Sequence, residues 1–178
     1  MTTPWVRPKA RMYETLEIVA RAVLIGVGAT IVMDLWTVFR KRVFGVASLD
    51  YRMLGRWLGH LPRGRFIHDK IGETSPVRGE LLLGWCAHYA IGITFALLLL
   101  VLWGRDWARH PTLLPALIVG LGTVIAPLFI LQPAMGAGIA ASKTPRPNVA
   151  RLRSLLTHTV YGIGLYLSAL LWSIALRS

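Results

Sequence analysis

Four apolar stretches, residues 18–39, 81–103, 113–135 and 155–176, constrain this chain more than any other feature. Each has about the 20 residues that a helix needs to cross a bilayer. In lipid every backbone N–H and C=O must be bonded within the protein, so such stretches become helices rather than strands of an open sheet. The expected fold is therefore an all-α membrane protein, a four-transmembrane-helix bundle forming a single integral membrane domain over residues 1–178. Composition agrees, with 54% hydrophobic and only 16% charged residues, a balance unlike that of a soluble domain. The first stretch follows Arg7, Lys9 and Arg11, as the apolar part of a signal peptide would. It runs into "MDLW" without a small-residue cleavage site, so it is expected to stay as a span.

The net charge of +12 raises the question of nucleic acid. The Lys and Arg residues lie between apolar segments instead of forming a stripe on one surface, which favours lipid headgroups as partners and not nucleic acid. Loops 40–80 and 136–154 hold 13 of the 20 Lys and Arg. By the positive-inside rule they belong in the cytoplasm with both termini outside, although the basic N-terminus pulls the other way. Cys86 is the only cysteine, so neither an intramolecular disulfide nor a thiolate metal cluster is available. A buried, inert thiol is expected.

Later spans have start signals: Ser75-Pro76, His110-Pro111 and Asn148. Within the long loop, Leu54, Trp57, Leu58 and Leu61 fall at i, i+3, i+4, i+7 while Arg52, Arg56 and His60 share another face. This predicts a short amphipathic helix, either interfacial with Arg52 and Arg56 on lipid headgroups, or packed under the loop.

A weak internal repeat relates the two halves. "HYAIGITFAL" (88–97) aligns with "HTVYGIGLYL" (158–167), and "LIGVGATIVMD" (24–34) more loosely with "LIVGLGTVIAP" (117–127). Parallel repeats of this kind are related by an axis along the membrane normal, which would set His88 opposite His158. Alternating helix direction brings Asp34, Glu80, His88, Gln132 and His158 to one side of the membrane, His88 about 12 Å along its helix from Glu80. Small residues recur with them every four positions, Glu80, Gly84, His88, Gly92, Ala96 in one span and Ala22, Gly26, Thr30, Asp34 in another. That places the ionisable groups on the packing seams and leaves Leu97 to Leu100, Leu170 and Leu171 for the lipid. Pro127 is expected to kink the third span, with "QPAMGAGIAAS" continuing as a re-entrant segment.

Intramembrane ionisable residues are costly, and a functional site is the first expectation for them. The leading reading is ion, proton or small-ligand handling, that is possible transport, at a polar layer of Asp34, Glu80, His88, Gln132 and His158. One alternative is a structural or interaction protein whose Asp/His layer only pins the helices. Another is a metal site using His88, His158 and Asp34, or haem with the two histidines as axial ligands. No cofactor is required by the sequence. His68, in "GRFIHDKIGETSP", is a candidate lid over the layer. Catalysis is poorly motivated: Ser142, Lys143 and Thr144 offer nucleophiles, but no Gly-x-Ser-x-Gly or His-Glu-x-x-His is present, and "GAGIAA" follows a span rather than a strand. Four short helices leave little room for alternating access, so a homo-oligomer is a possible partner.

The strings "MDLW", "GRFIHDKI" before "SPVRGE", "GWCAHYAIG", "PTLLPAL", "LQPAMGAGIAASKTPRPNVARLRSLLTH" and "YGIGLYL" together resemble a family of bacterial inner-membrane proteins known as domain of unknown function 2938. The resemblance covers nearly the whole chain. It implies a four-helix protein of the bacterial inner membrane and brings no activity, cofactor or catalytic residue with it.

Overall fold

The structure is a computed structural model that describes residues 6–46 and 49–175, with side chains from Met12 onward. In chain order the helices are α1 (Val6–Phe44), α2 (Tyr51–His60), α3 (Glu80–Arg109), α4 (Leu113–Gly122), α5 (Gln132–Ala134) and α6 (Pro147–Ala175). No strand occurs among the described residues. Four segments are long and apolar enough to cross a membrane: Met12–Phe44, Glu80–Arg109, Leu113–Ala134 and Pro147–Ala175. The chain is a multi-pass membrane protein with an all-α, four-span bundle. Leu176, the expected end of the last span, lies outside the described residues.

Helix ends deviate from the sequence expectation for local reasons. The first helix begins earlier than residue 18 because its added turns meet the far end of α3. Glu14 and Glu17 pair with Arg105 at 3.3 and 3.6 Å, and Arg109 reaches Glu17 at 3.5 Å. Gly104, at φ +78°, interrupts α3 one residue after the expected end of the apolar stretch at Trp103. Ser75-Pro76 does not start α3; the chain turns through Gly79 at φ +77° and the helix opens at Glu80. Asn148 lies inside the first turn of α6, which Pro147 begins, and its side chain accepts from Arg151. Pro127, lacking an N–H, turns the third span into a wide π-turn over Pro127–Leu131. The chain beyond α5 is irregular and docks on the first loop, where His68 N–H donates to Ala134 O at 2.9 Å and Ile71 N–H to Met135 O at 3.1 Å.

The bundle is two helix pairs, α1 with α3 and α4 with α6, joined along α1 and α6. Glycine permits both close crossings, and the glycines of the two crossings fall at aligned positions of the two halves. A Cβ on Gly26 would lie 2.6 Å from Ile93 Cα, beside Gly92, and one on Gly120 would lie 2.4 Å from Gly162 Cα. Gly92 and Gly162 are the residues four after His88 and His158, so the same register brings each pair together. The buried core is made of Ala22, Ile25, Ala29, Ala96, Leu99, Leu100, Leu165 and Ala169, among others. Leu99 and Leu100 therefore turn inward, against the expectation that they face lipid, because the four-residue spacing continues Gly92 and Ala96 onto Leu100. Leu98, Val101, Leu171 and the lone Cys86 are on the outside; the thiol is exposed, not buried.

One buried hydrogen bond ties the pairs together, from Tyr161 Oη to Gly92 O at 2.6 Å. Tyr161→Phe keeps the ring and removes the donor. The expected loss is about 1 kcal/mol, readable as a lower midpoint in a denaturant titration of the detergent-solubilised protein.

Candidate functional site

Asp34 sits ten residues before the end of α1, and His88 eight residues into α3, so helix geometry puts each about 12–15 Å below the loop-side ends of their helices. The Gly26–Gly92 crossing draws the two helices together and the side chains meet. His88 Nε2 lies 3.0 Å from Asp34 Oδ1, with side chains only 11% and 18% exposed. Tyr51, the first residue of α2, places its hydroxyl 3.0 Å from the same Oδ1 and 2.9 Å from His88 Nε2. Tyr89 donates to the other carboxylate oxygen, Oδ2, at 3.1 Å. The Trp85 ring closes one side, its centroid 4.3 Å from that of Tyr51 and 5.9 Å from that of His88.

Proton positions follow from the chemistry of these atoms. An ionised carboxylate oxygen only accepts. With Asp34 ionised, His88 Nε2 carries the hydrogen of the 3.0 Å contact with Oδ1. The Tyr51 hydroxyl gives its one proton to Asp34, leaving its oxygen free to share the His88 N–H. Burial first, and then the negative charge of Asp34, push the Tyr51 phenol well above the ordinary tyrosine range, so it stays a donor. The cluster is an acid with three donors and one imidazole nitrogen, Nδ1, left to take a further proton.

Tyr51 is held there by the seat of α2. Asp50 accepts from Arg52 N–H at 2.9 Å and caps the helix. The glycines Gly55 and Gly84 face each other's helix backbones so closely that a Cβ on either would collide with a carbonyl of the opposite helix. Arg56 then clamps the contact: Nε and Nη2 make a two-point bond to Glu80 at 2.9 and 2.8 Å, and Nη1 donates to the carbonyls of Ile71, Gly72 and Thr74 at 3.3, 3.0 and 3.0 Å. The Glu80 hydrogen bonds hold the Arg56 guanidinium above its already high range. Arg56 is thus committed to protein acceptors, not free for lipid phosphate as its position in the sequence suggested. The helix packs against α3 through Gly55, with Leu54 also buried, while Arg52 stays exposed.

The five residues expected in one layer divide four ways. Asp34 and His88 come together. Glu80 is taken by Arg56, because the first turn of α3 faces α2. Gln132 Nε2 lies 3.4 Å from Ser154 Oγ, and its Oε1 is buried without a partner. His158 does not face His88. Thr123 Oγ1 already donates to Gly120 O at 2.6 Å, so the His158 Nδ1 at 2.9 Å is the donor to that hydroxyl, a bond that pins α6 to α4. The two aligned histidines occupy matching crossings of different helix pairs, which separates them. The metal trio of His88, His158 and Asp34 is not assembled, and no group of three or more His, Cys, Asp or Glu suited to a metal occurs among the described residues. His68 lies against His60, at 5.4 Å between ring centroids, and not over Asp34.

Sequence reasoning missed Tyr51, Tyr89 and Thr123, and set His60 beside Arg52 and Arg56 on the polar face of the short helix although it is 2% exposed. The available signals were a tyrosine beginning an Asp-capped amphipathic helix and another directly after His88.

The family model described as "Protein of unknown function (DUF2938)" matches residues 23–172, a range that contains every residue of this cluster. No curated protein and no solved structure matches the chain.

Proposed function

We propose, from the premise that the chain belongs to the DUF2938 family of proteins of unknown function, that this membrane protein handles protons at the cluster of Asp34, Tyr51, His88 and Tyr89. The observation that carries the reading is the Asp34 carboxylate bonded at once to His88 Nε2 and two phenols inside the spans. With a neutral imidazole the cluster bears one negative charge. Taking a proton at His88 Nδ1 makes an imidazolium–carboxylate pair with no net charge, and giving it up restores the single negative charge. A site that alternates between these two states within reach of one membrane face is what a proton relay uses. The same reading places the protein in the bacterial inner membrane, the two basic loops on the cytoplasmic side, and Arg52 at the lipid headgroups.

The test is proton flux in sealed liposomes, with a pH dye inside and a potassium diffusion potential as the driving force. Native protein is expected to acidify or alkalinise the lumen according to the sign of the potential. Asp34→Asn should cut the rate by about a hundredfold, the low end of what loss of a positioned proton-transfer group costs. Equal rates for the two proteins would remove Asp34 from any such role.

A further inference from the structure

Outside this cluster, two imidazoles lie together in the loop that caps the bundle. His60, the last residue of α2, is 2% exposed and His68 is 9% exposed. His60 Nε2 stands 3.0 Å from Ser75 O, and a carbonyl can only accept, so Nε2 carries the hydrogen and Nδ1 presents a lone pair. That Nδ1 is buried without a partner, as are both ring nitrogens of His68. Buried polar atoms left unbonded cost about 1–3 kcal/mol each and are rare in native proteins, where an ion or ordered water usually explains them.

We propose that His60 and His68 are ligands for one divalent first-row metal ion of the zinc class. A ring N–H bonded to a backbone carbonyl, with the opposite nitrogen free, is the arrangement that orients metal-ligating histidines. Spacing agrees as well. With a metal–nitrogen bond of about 2.0–2.1 Å and a ring radius of about 1.1 Å, two imidazoles on one tetrahedral ion have centroids about 5.2 Å apart, against 5.4 Å here. The backbone fixes both ligands: His60 ends the helix clamped by Arg56 and Glu80, and His68 N–H is bonded to Ala134 O. A bound ion therefore staples the first loop where it meets the chain that follows α5. Two protein ligands leave the other coordination positions to water or a small anion.

The experiment uses the full chain without an affinity tag, purified in detergent and stripped with a chelator. Titration with Co²⁺ followed by visible absorption is expected to show about one ion per chain. His60→Ala and His68→Ala should each weaken binding by tenfold or more, since loss of even an outer-shell partner costs about 10–100-fold, while Asp34→Asn and His110→Ala leave it unchanged. Should a histidine variant not fold, pulsed EPR of native protein loaded with Cu²⁺ decides, by showing two coordinated imidazoles or fewer. No stoichiometric binding by the native chain, a single imidazole on copper, or native affinity in the folded double variant each overturns the assignment. The flux result for Asp34→Asn is independent of all of these.

Discussion

Glu80→Ala is expected to lower the unfolding free energy of the bundle by about 3 kcal/mol, the low end of the range for breaking a buried ion pair. The low end applies because the pair lies at the loop-side edge of the bundle, with 12–13% of each side chain exposed. The loss comes less from the missing attraction than from what remains. Arg56 keeps its charge and its three backbone carbonyls but loses the carboxylate that neutralises it, and Val77 N–H loses its acceptor at 3.0 Å. For a chain of this length the change corresponds to a fall of about 6–12 °C in thermal midpoint. Replacing both residues by apolar ones, Arg56→Met with Glu80→Leu, should recover much of the loss, since a buried pair offsets its attraction by desolvation. A Glu80→Ala midpoint within 2 °C of native, or a double variant no better than the single one, would show that the clamp contributes little.

The same clamp shows what was legible in the sequence. Span number, helix class and the small-residue seams follow from period and composition alone, because lipid leaves a chain few ways to satisfy its backbone. The small-residue faces that carry Gly26 and Gly92 were legible in the four-residue spacing, and the common depth of Asp34 and His88 in the alternation of helix direction, but which helices pair decides that these two meet while His158 does not. What could not be read is what the loops do. A periodic pattern places Arg56 on the polar face of α2, but only the turn at Gly79 and the carbonyls of residues 71–74 make that face an interior one. His60 and His68 sit in polar, loop-like sequence and are buried by long-range contacts with Ser75 and Ala134, which no local period encodes. Tyr51 belongs to the same class. It reaches the membrane site from a helix outside the four spans, so a reading confined to the spans had no place for it. The repeat misled at one point: aligned histidines occupy equivalent crossings, and the position facing His158, just after α4, is filled by Thr123 rather than by a carboxylate.

Gly84→Ala is expected to have one of the largest effects of a single methyl group added to this protein, alongside the same change at Gly55 and Gly136. The new Cβ would meet the Tyr51 carbonyl oxygen, and Gly55 faces the Glu80 carbonyl in the same way, so backbone opposes backbone and no rotamer can relieve the clash. Contact distances for carbon and oxygen require α2 to move off α3 by more than an ångström. The expected loss is about 3 kcal/mol, the upper part of the range for overpacking. A displaced α2 takes the Tyr51 hydroxyl beyond bonding range of Asp34 and His88, now 3.0 and 2.9 Å away. Tyr51→Phe separates the two consequences, since it removes the same hydroxyl while leaving α2 seated, at about 1 kcal/mol. Hydrogen exchange should then show lost protection over residues 51–60 for Gly84→Ala, near-native protection there for Tyr51→Phe, and unchanged protection over α6 in both. If proton flux also depends on this hydroxyl, both variants should lose it to a similar degree despite their different stabilities. Flux that follows stability instead, retained in Tyr51→Phe and lost in Gly84→Ala, would place the role of α2 in holding the bundle rather than in the proton site.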